Sequence, residues 1–349
     1  MAINLESLIN LQGNKIPTDA RSYSTFVYGY PKLGKSTFIN DLYGEKVLFI
    51  ATEHRHEAIA NAHVVNVDSW AEFLKLMRLL KKPELQEKYD AICIDTVTRL
   101  ESYCEQYILS KLEIDDLSDA SWGKGFGEYN KELEKGLSLI EKSGYVPNFI
   151  SHAKTETRKV LVTEATNDEK SKQGASVVKD KKDGKQYLEY QKIVPDVKTK
   201  FFNMINRIAD NILYLDKTVD KDGNEDRKIF YRDTVDHLAG ATYKGMVEHT
   251  ELSPEAYVKA VEDAIQSEGK GNIRDGEKTK LSEDAGEYNF KELMKEVATI
   301  GKKLQSEGKR DLLDDTIEKV LGKGKKVKDL DKGQAVVLSS LVDELKELV

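Results

Sequence analysis

The residues whose types and spacing carry chemistry run Gly29-Tyr30-Pro31-Lys32-Leu33-Gly34-Lys35-Ser36-Thr37. They fit the P-loop pattern G-x-x-x-x-G-K-[ST] at every fixed position. Gly29 and Gly34 let the backbone turn tightly, so that successive N–H groups face inward toward phosphate oxygens. A helix opening just after the loop adds its free N–H groups and the positive end of its dipole. Lys35 then reaches the β- and γ-phosphates, and the Ser36 hydroxyl ligates Mg²⁺. The chemistry implied is the binding of a nucleoside triphosphate.

Two acids stand where such a cradle needs them. The apolar run Tyr89-Asp90-Ala91-Ile92-Cys93-Ile94-Asp95 reads as a buried strand ending in Asp95. Downstream of a P-loop this is the Walker-B arrangement, in which the carboxylate holds the metal directly or through a water. Another strand, over 46–53, ends in Glu53. Ligands of open α/β sheets bind beyond the carboxyl ends of the strands. Glu53 is therefore placed to hold an attacking water as a general base.

Positioning these groups takes alternating strands and helices. The pattern gives strands over 23–28, 46–53, 62–67, 89–95 and 147–152, with helices over 37–42, 70–80, 98–112 and 128–142. In 70–80, Trp70, Phe73, Leu74, Met77 and Leu80 share one face at helical spacing and read as core, with Asp68 and Ser69 as candidate caps. Trp122-Gly123-Lys124-Gly125-Phe126-Gly127 reads as a glycine-rich loop. The alternation predicts an α/β fold with a mostly parallel sheet flanked by helices.

After His152 the rhythm breaks. Residues 153–200 are polar, and Asp183-Gly184 between Val177-Val178 and Tyr187-Leu188 predicts a hairpin tip. A helix follows over 201–208. Strands at 210–215 and 228–232 pair across a turn at 222–224, and a helix starts at Pro254 and runs to 266. The division is a lead-in over 1–22, a core over 23–267, a Gly/Lys/Glu-rich linker over 268–288 and a small helical C-terminal module over 289–349.

Composition narrows the partners. The chain has 349 residues, 33% of them charged, and a net charge of −7, so no global basic field announces nucleic acid. An apolar run of about 18 residues is missing, which argues against a membrane span. The first residues lack a basic stretch followed by an apolar one, which argues against a secretory signal. Cys93 and Cys104 are too few for a disulfide framework or a zinc site, and a reducing cytoplasm is expected.

With the strand Phe49-Ile50-Ala51-Thr52-Glu53-His54, the chain resembles the RecA-type ATPases, whose corresponding strand ends in a catalytic glutamate. The order of P-loop, Glu-ending strand, Asp-ending strand and a strand with a polar end is similar to their core. Within that superfamily it looks most like phage-encoded RecA-like nucleotide-binding proteins associated with single-strand annealing and recombination. The likeness covers 20–265 and rests on the P-loop, Glu53, Asp95, Trp122-Gly123, Ser151-His152 and Ala241-Thr242-Tyr243-Lys244. The stretch 268–349 lies outside it.

The resemblance implies ATP and Mg²⁺, a γ-phosphate sensor at Ser151-His152, two DNA-facing loops, and a ring or filament of copies. The usual sensor residue is glutamine, so His152 reads equally as an ordinary strand end. A cation from the neighbouring copy would complete the site; Arg232 and Lys244 are the candidates, with surface charge as the other reading. The second DNA loop corresponds to 153–200, which carries twelve basic and eight acidic side chains. Lys179, Lys181, Lys182 and Lys185 offer phosphate contacts there, and Tyr187 and Tyr190 offer stacking. A solvated lysine-rich hairpin is the alternative. Trp122, Phe126 and Tyr129 read as a first DNA loop or as packing against the sheet, with packing favoured.

The expected activity is DNA-stimulated ATP hydrolysis assisting phage recombination or annealing in the bacterial host cytoplasm. The expected partners are single-stranded DNA, further copies of the chain, and a single-stranded-DNA-binding protein through the helical tail. The alternative is a loader or motor adaptor in which ATP gates a protein contact. A small-molecule kinase is a third reading, against which stands the lack of an arginine-rich lid.

Overall fold

The computed structural model describes residues 16–53, 59–219, 223–268, 273–274 and 289–348, apart from 323 and 347. These fall into two compact units, one within 11–279 and one within 280–349. The larger unit is built on a mixed sheet. Its main strands are β1 (Thr25–Gly29), β2 (Val47–Ala51), β3 (His63–Asn66), β4 (Ala91–Asp95), β5 (Val146–Leu161), β6 (Ser176–Lys179), β7 (Gln186–Pro195), β8 (Asn211–Val219), β9 (Glu225–Phe230) and β10 (His249–Glu251), with the two-residue strand Gly240–Ala241 pairing antiparallel to β8.

Parallel strands run in the order β8-β1-β5-β4-β2-β3, and β9 and β10 continue antiparallel beyond β8. β1, β2 and β4 are buried along their whole length, so they read as continuous apolar runs instead of alternating ones. The strand carrying Asp95 is not beside the P-loop strand; β5 lies between them. Register sets the carboxyl edge: Gly29 is level with His152, and Ala51 with Asp95.

Helices cover both faces. On one, α1 (Lys35–Tyr43) and α8 (Pro254–Ser267) bury Phe38, Ile39, Tyr257 and Val261 against Val27, Phe49, Ile150 and Leu213. On the other, α2 (Trp70–Leu79), α4 (Val97–Leu112), α5 (Lys124–Glu141) and α7 (Thr199–Ile205) pack Trp70, Phe73, Leu100, Leu133 and Phe201 against Phe26, Tyr28, Ile50 and Phe149. Alternate residues of β1 thus serve opposite layers. The remaining short helices are α3 (Pro83–Lys88) and α6 (Asn167–Ser171). Ser69 caps α2 by accepting from the Glu72 N–H at 3.2 Å.

Two expectations are corrected. Residues 153–200 are not a polar loop: β5 continues unbroken to Leu161 and pairs antiparallel with β7, which pairs with β6. This arm has a small core of its own around Ala165, Leu188 and Tyr190. The expected hairpin is present, with Val177 opposite Leu188 and Gly184 at φ +70°. Nor do 122–127 form a loop. Trp122 and Gly123, at φ +58° and +68°, turn the chain, and α5 starts at Lys124 and runs through Gly125 and Gly127. Gly125 is there for contact, because a β-carbon would lie 2.2 Å from the Leu117 carbonyl oxygen. The packing reading of the aromatics holds for buried Tyr129 but not for Trp122, which is fully exposed, nor for half-exposed Phe126.

Part of the lead-in is ordered, since Ile16–Pro17 pairs in parallel with Ile273–Arg274, inside the stretch read as linker. Apart from Glu268, the rest of that linker, and residues 1–15, lie outside the described residues, as do His54 and Asp222. The smaller unit holds three helices, α9 (Phe290–Ser306), α10 (Arg310–Leu321) and α11 (Ala335–Lys346). Leu304, Leu313, Leu338, Leu341 and Leu345 form its core.

Candidate active site

The P-loop leaves β1 at Gly29 and enters α1 through Gly34, which sits at φ +93° in the left-handed region. That conformation favours glycine. Gly29 is confined for a different reason: a β-carbon there would lie 2.6 Å from the Leu215 carbonyl oxygen of β8. Lys32 takes φ +67° within the loop, between Pro31 and Leu33, and Leu33 anchors the loop in the core.

Lys35 is buried, and its ammonium donates to the carbonyls of Gly29 and Tyr30, both at 2.9 Å. The loop is thus folded around the cation that would meet the phosphates. Burial pushes the Lys35 pKa down, with Asp95 and Glu53 opposing. Ser36 donates to Asp95 Oδ2 at 2.5 Å. A hydroxyl and a carboxylate in that contact are hard oxygen donors suited to Mg²⁺, which keeps its other positions for phosphates and water. No cluster of three or more His, Cys, Asp or Glu able to hold a metal occurs among the described residues. Thr37 continues the first turn of α1.

Around Glu53 the chain is stitched by hydroxyls. Thr52 donates to the Thr96 carbonyl at 2.9 Å and accepts from the Thr96 N–H at 2.8 Å. The Thr52 N–H donates to the Asp95 carbonyl at 2.8 Å. Thr96 Oγ1 donates to Glu53 Oε1 at 2.9 Å, and His152 Nε2 lies 3.3 Å from the same oxygen. The second histidine nitrogen, Nδ1, is buried with no hydrogen-bond partner among the described residues. The structure thus brings Glu53 and His152 together across β2, β4 and β5. Ser151 is fully buried and donates to the His152 carbonyl, so of that pair His152 is the one facing Glu53.

The other expected residues lie elsewhere. Lys179, Lys181, Lys182 and Lys185 are exposed at the arm's tip and take part in no ion pair among the described residues. The lysines nearer the arm's base are paired: Lys159 with Asp180, Lys192 with Asp233, Lys198 with Glu105, and Lys172 with Asp236. Tyr187 donates to Asp183 at 2.7 Å, and Lys159 sits 4.7 Å from its ring centre. Tyr190 is buried and donates to Glu169 at 2.8 Å, which removes it as a stacking platform. Arg232 donates from Nε and Nη2 to the carbonyls of Lys244 and Met246. Lys244 is exposed.

Two residues at the site were missed from sequence. Thr96 had a signal, a hydroxyl directly after the strand-ending acid. Arg227 had none: it approaches the P-loop only because β9 folds back on β8. A β-carbon at Gly34 would lie 3.7 Å from Arg227 Nη1 and 3.8 Å from Leu252 Cδ2.

A family model described as an AAA domain matches residues 21–243, and the chain belongs to that family. It is a P-loop NTPase of the ATPase class, and the match takes in the P-loop, Glu53, Asp95, the arm and β9. The chain is also 26% identical over 337 residues to a protein of Bacillus subtilis (strain 168) named SPbeta prophage-derived uncharacterized protein YorG, covering 93% of this chain and 92% of that one. No helix among the described residues is long and apolar enough to cross a membrane.

Proposed function

We propose that the protein hydrolyses ATP, uses the cycle to control its arm, and binds single-stranded DNA in phage recombination or annealing. Ser36 and Asp95 would hold Mg²⁺, which would supply neutralisation of charge on the β- and γ-phosphates. Lys35 binds the same phosphates. Glu53 holds the attacking water and takes its proton as the oxygen bonds to the γ-phosphorus. The bond from that phosphorus to the β–γ bridging oxygen breaks, and the electron pair leaves with ADP. Thr96 and His152 fix the Glu53 carboxylate.

The observation that carries the coupling is the continuity of β5. One strand bears His152, in contact with Glu53, and runs on to form the arm's first strand. A second contact reinforces it, with the Tyr30 hydroxyl of the P-loop 3.5 Å from Thr155 Oγ1 on the arm. Support for DNA comes from the unpaired tip lysines, from the prophage relative and from the family resemblance. Steady-state ATP turnover with and without single-stranded DNA at low salt tests the reading. The wild type should be stimulated and Lys35→Ala inactive; turnover indifferent to DNA would remove the DNA half.

One observation favours a second reading. Val336, Val337 and Leu312 are exposed apolar side chains of the C-terminal unit. If that unit docks another protein, the ATP cycle would gate a protein contact, as in a loader or motor adaptor. Deleting 268–349 separates the two: partner binding lost with DNA binding intact favours the adaptor.

A further inference from the structure

Resting on the nucleotide reading above, we propose that Arg227 is a nucleotide-binding residue supplied in cis, contacting the α-phosphate and nucleoside end of the bound triphosphate. The sheet order fixes which end lies where. Glu53, Asp95 and His152 all belong to β2, β4 and β5 or follow them directly, on one side of β1. The γ-phosphate and its metal must face that side, where the general base is. The rest of the nucleotide then leaves the loop toward β8 and β9, on the other side of β1.

Arg227 stands there. Its Nη1 lies 3.7 Å from where a Gly34 β-carbon would be, beside Leu252 Cδ2 at 3.8 Å, against the turn that opens α1. Its backbone is fixed, because the Leu252 N–H donates to the Arg227 carbonyl at 2.8 Å. Its side chain is not. Among the described residues the guanidinium is held by one exposed contact, Nη2 to Glu225 Oε2 at 3.3 Å. Glu225 has a nearer cation in Lys217 at 2.6 Å, so moving Arg227 to a phosphate strands no carboxylate. A planar guanidinium beside an apolar leucine presents a fork for phosphate oxygens and a flat face for the nucleoside. Arg232, by contrast, is tied to backbone carbonyls.

The test is calorimetric binding of two probes to the full chain, ADP and inorganic pyrophosphate, for wild type, Arg227→Ala, Arg227→Lys and Glu225→Gln. Loss of one charge-assisted contact should weaken ADP about tenfold or more in Arg227→Ala. Pyrophosphate, which stands for the β- and γ-phosphates and carries neither an α-phosphate nor a nucleoside, should change less than about threefold by the same scale. Arg227→Lys should recover part of the ADP affinity, and Glu225→Gln, which frees the guanidinium, should not weaken it. Equal losses for both probes would mean a general charge effect and would overturn the proposal, as would no loss for either. If the wild type binds neither probe, the nucleotide reading itself fails. If it binds both and Arg227→Ala binds ADP as tightly as the wild type does, only the role of Arg227 fails. Melting temperatures equal to wild type confirm that each variant is folded.

Discussion

Thr96 Oγ1 donates to Glu53 Oε1 at 2.9 Å, and the same oxygen caps α4 by accepting from the Arg99 N–H at 3.4 Å. One hydroxyl thus ties the proposed general base to the helix that follows the Asp95 strand. Thr96 meets no substrate in this role; it positions Glu53. Thr96→Ala should lower kcat about tenfold with KM changed less than about twofold, the size of one lost hydrogen bond to a charged group. Thr96→Ser keeps the hydroxyl and should retain most of the activity. A Thr96→Ala enzyme with unchanged kcat, or with the whole effect in KM, would refute the positioning role.

The Lys35 ammonium gives a pH signature. Burial holds its pKa below the usual lysine value in the free protein, despite Asp95 and Glu53. Phosphate oxygens favour the charged form, so the bound state holds the proton more tightly. Affinity for ADP should therefore fall as pH rises through the depressed pKa of the free protein. In that alkaline window binding takes up a proton. Titration calorimetry in two alkaline buffers of different ionisation enthalpy measures this uptake directly. Lys35→Arg, whose side chain stays charged, should show none. Equal uptake in both proteins would assign the proton to another group.

Legibility followed locality. The P-loop, the Asp95 and Glu53 strands, the 177–188 hairpin and the helical C-terminal module each rest on spacing within one segment, and each element is present, with the Glu53 strand ending at Ala51. The contacts that complete the site join distant segments. His152 meets Glu53 across 99 residues of chain, and Arg227 nears Gly34 only through β8 and β9. Neither can be read from a local period. Glycine misled at 122–127, because its value there is closeness as much as freedom: Gly125 takes helical backbone and lets Leu117 approach. Charge counting overstated the arm for a similar reason. It tallied Lys159, Lys172, Lys192 and Lys198 as free cations, and the fold pairs each with an acid.

Gly136 tests that view of glycine on stability. It lies inside α5, where alanine is favoured by about 1 kcal/mol on helix propensity alone. A β-carbon there would sit 2.4 Å from Trp70 Cη2. Trp70 cannot easily yield, since it is buried and donates to Glu132 at 3.0 Å. Overpacking of this kind costs about 1–3 kcal/mol. Gly136→Ala should therefore destabilise the protein by up to about 2 kcal/mol in denaturant unfolding, net of the propensity gain. A stabilised variant would show that Trp70 can move.

The tip lysines give the sharpest test of the DNA reading, because their pairing differs from that of Lys159, Lys172, Lys192 and Lys198. Lys179, Lys181, Lys182 and Lys185 are exposed and outside any ion pair among the described residues. If all four meet phosphates of a single strand, changing them together to Gln should flatten the plot of log affinity against log salt by about 3 units, at about 0.7 per contact. Basal ATP turnover should stay at the wild-type level, since the tip touches none of the Glu53, Asp95 and Lys35 contacts. The comparison variant is Lys192→Gln, whose lysine is already bound to Asp233 at 2.9 Å, and its slope should change little. Measuring single-strand binding by fluorescence anisotropy across a salt series separates the two. If the quadruple variant keeps the wild-type slope, the arm's charge serves something other than a phosphate backbone, and the protein-contact reading gains.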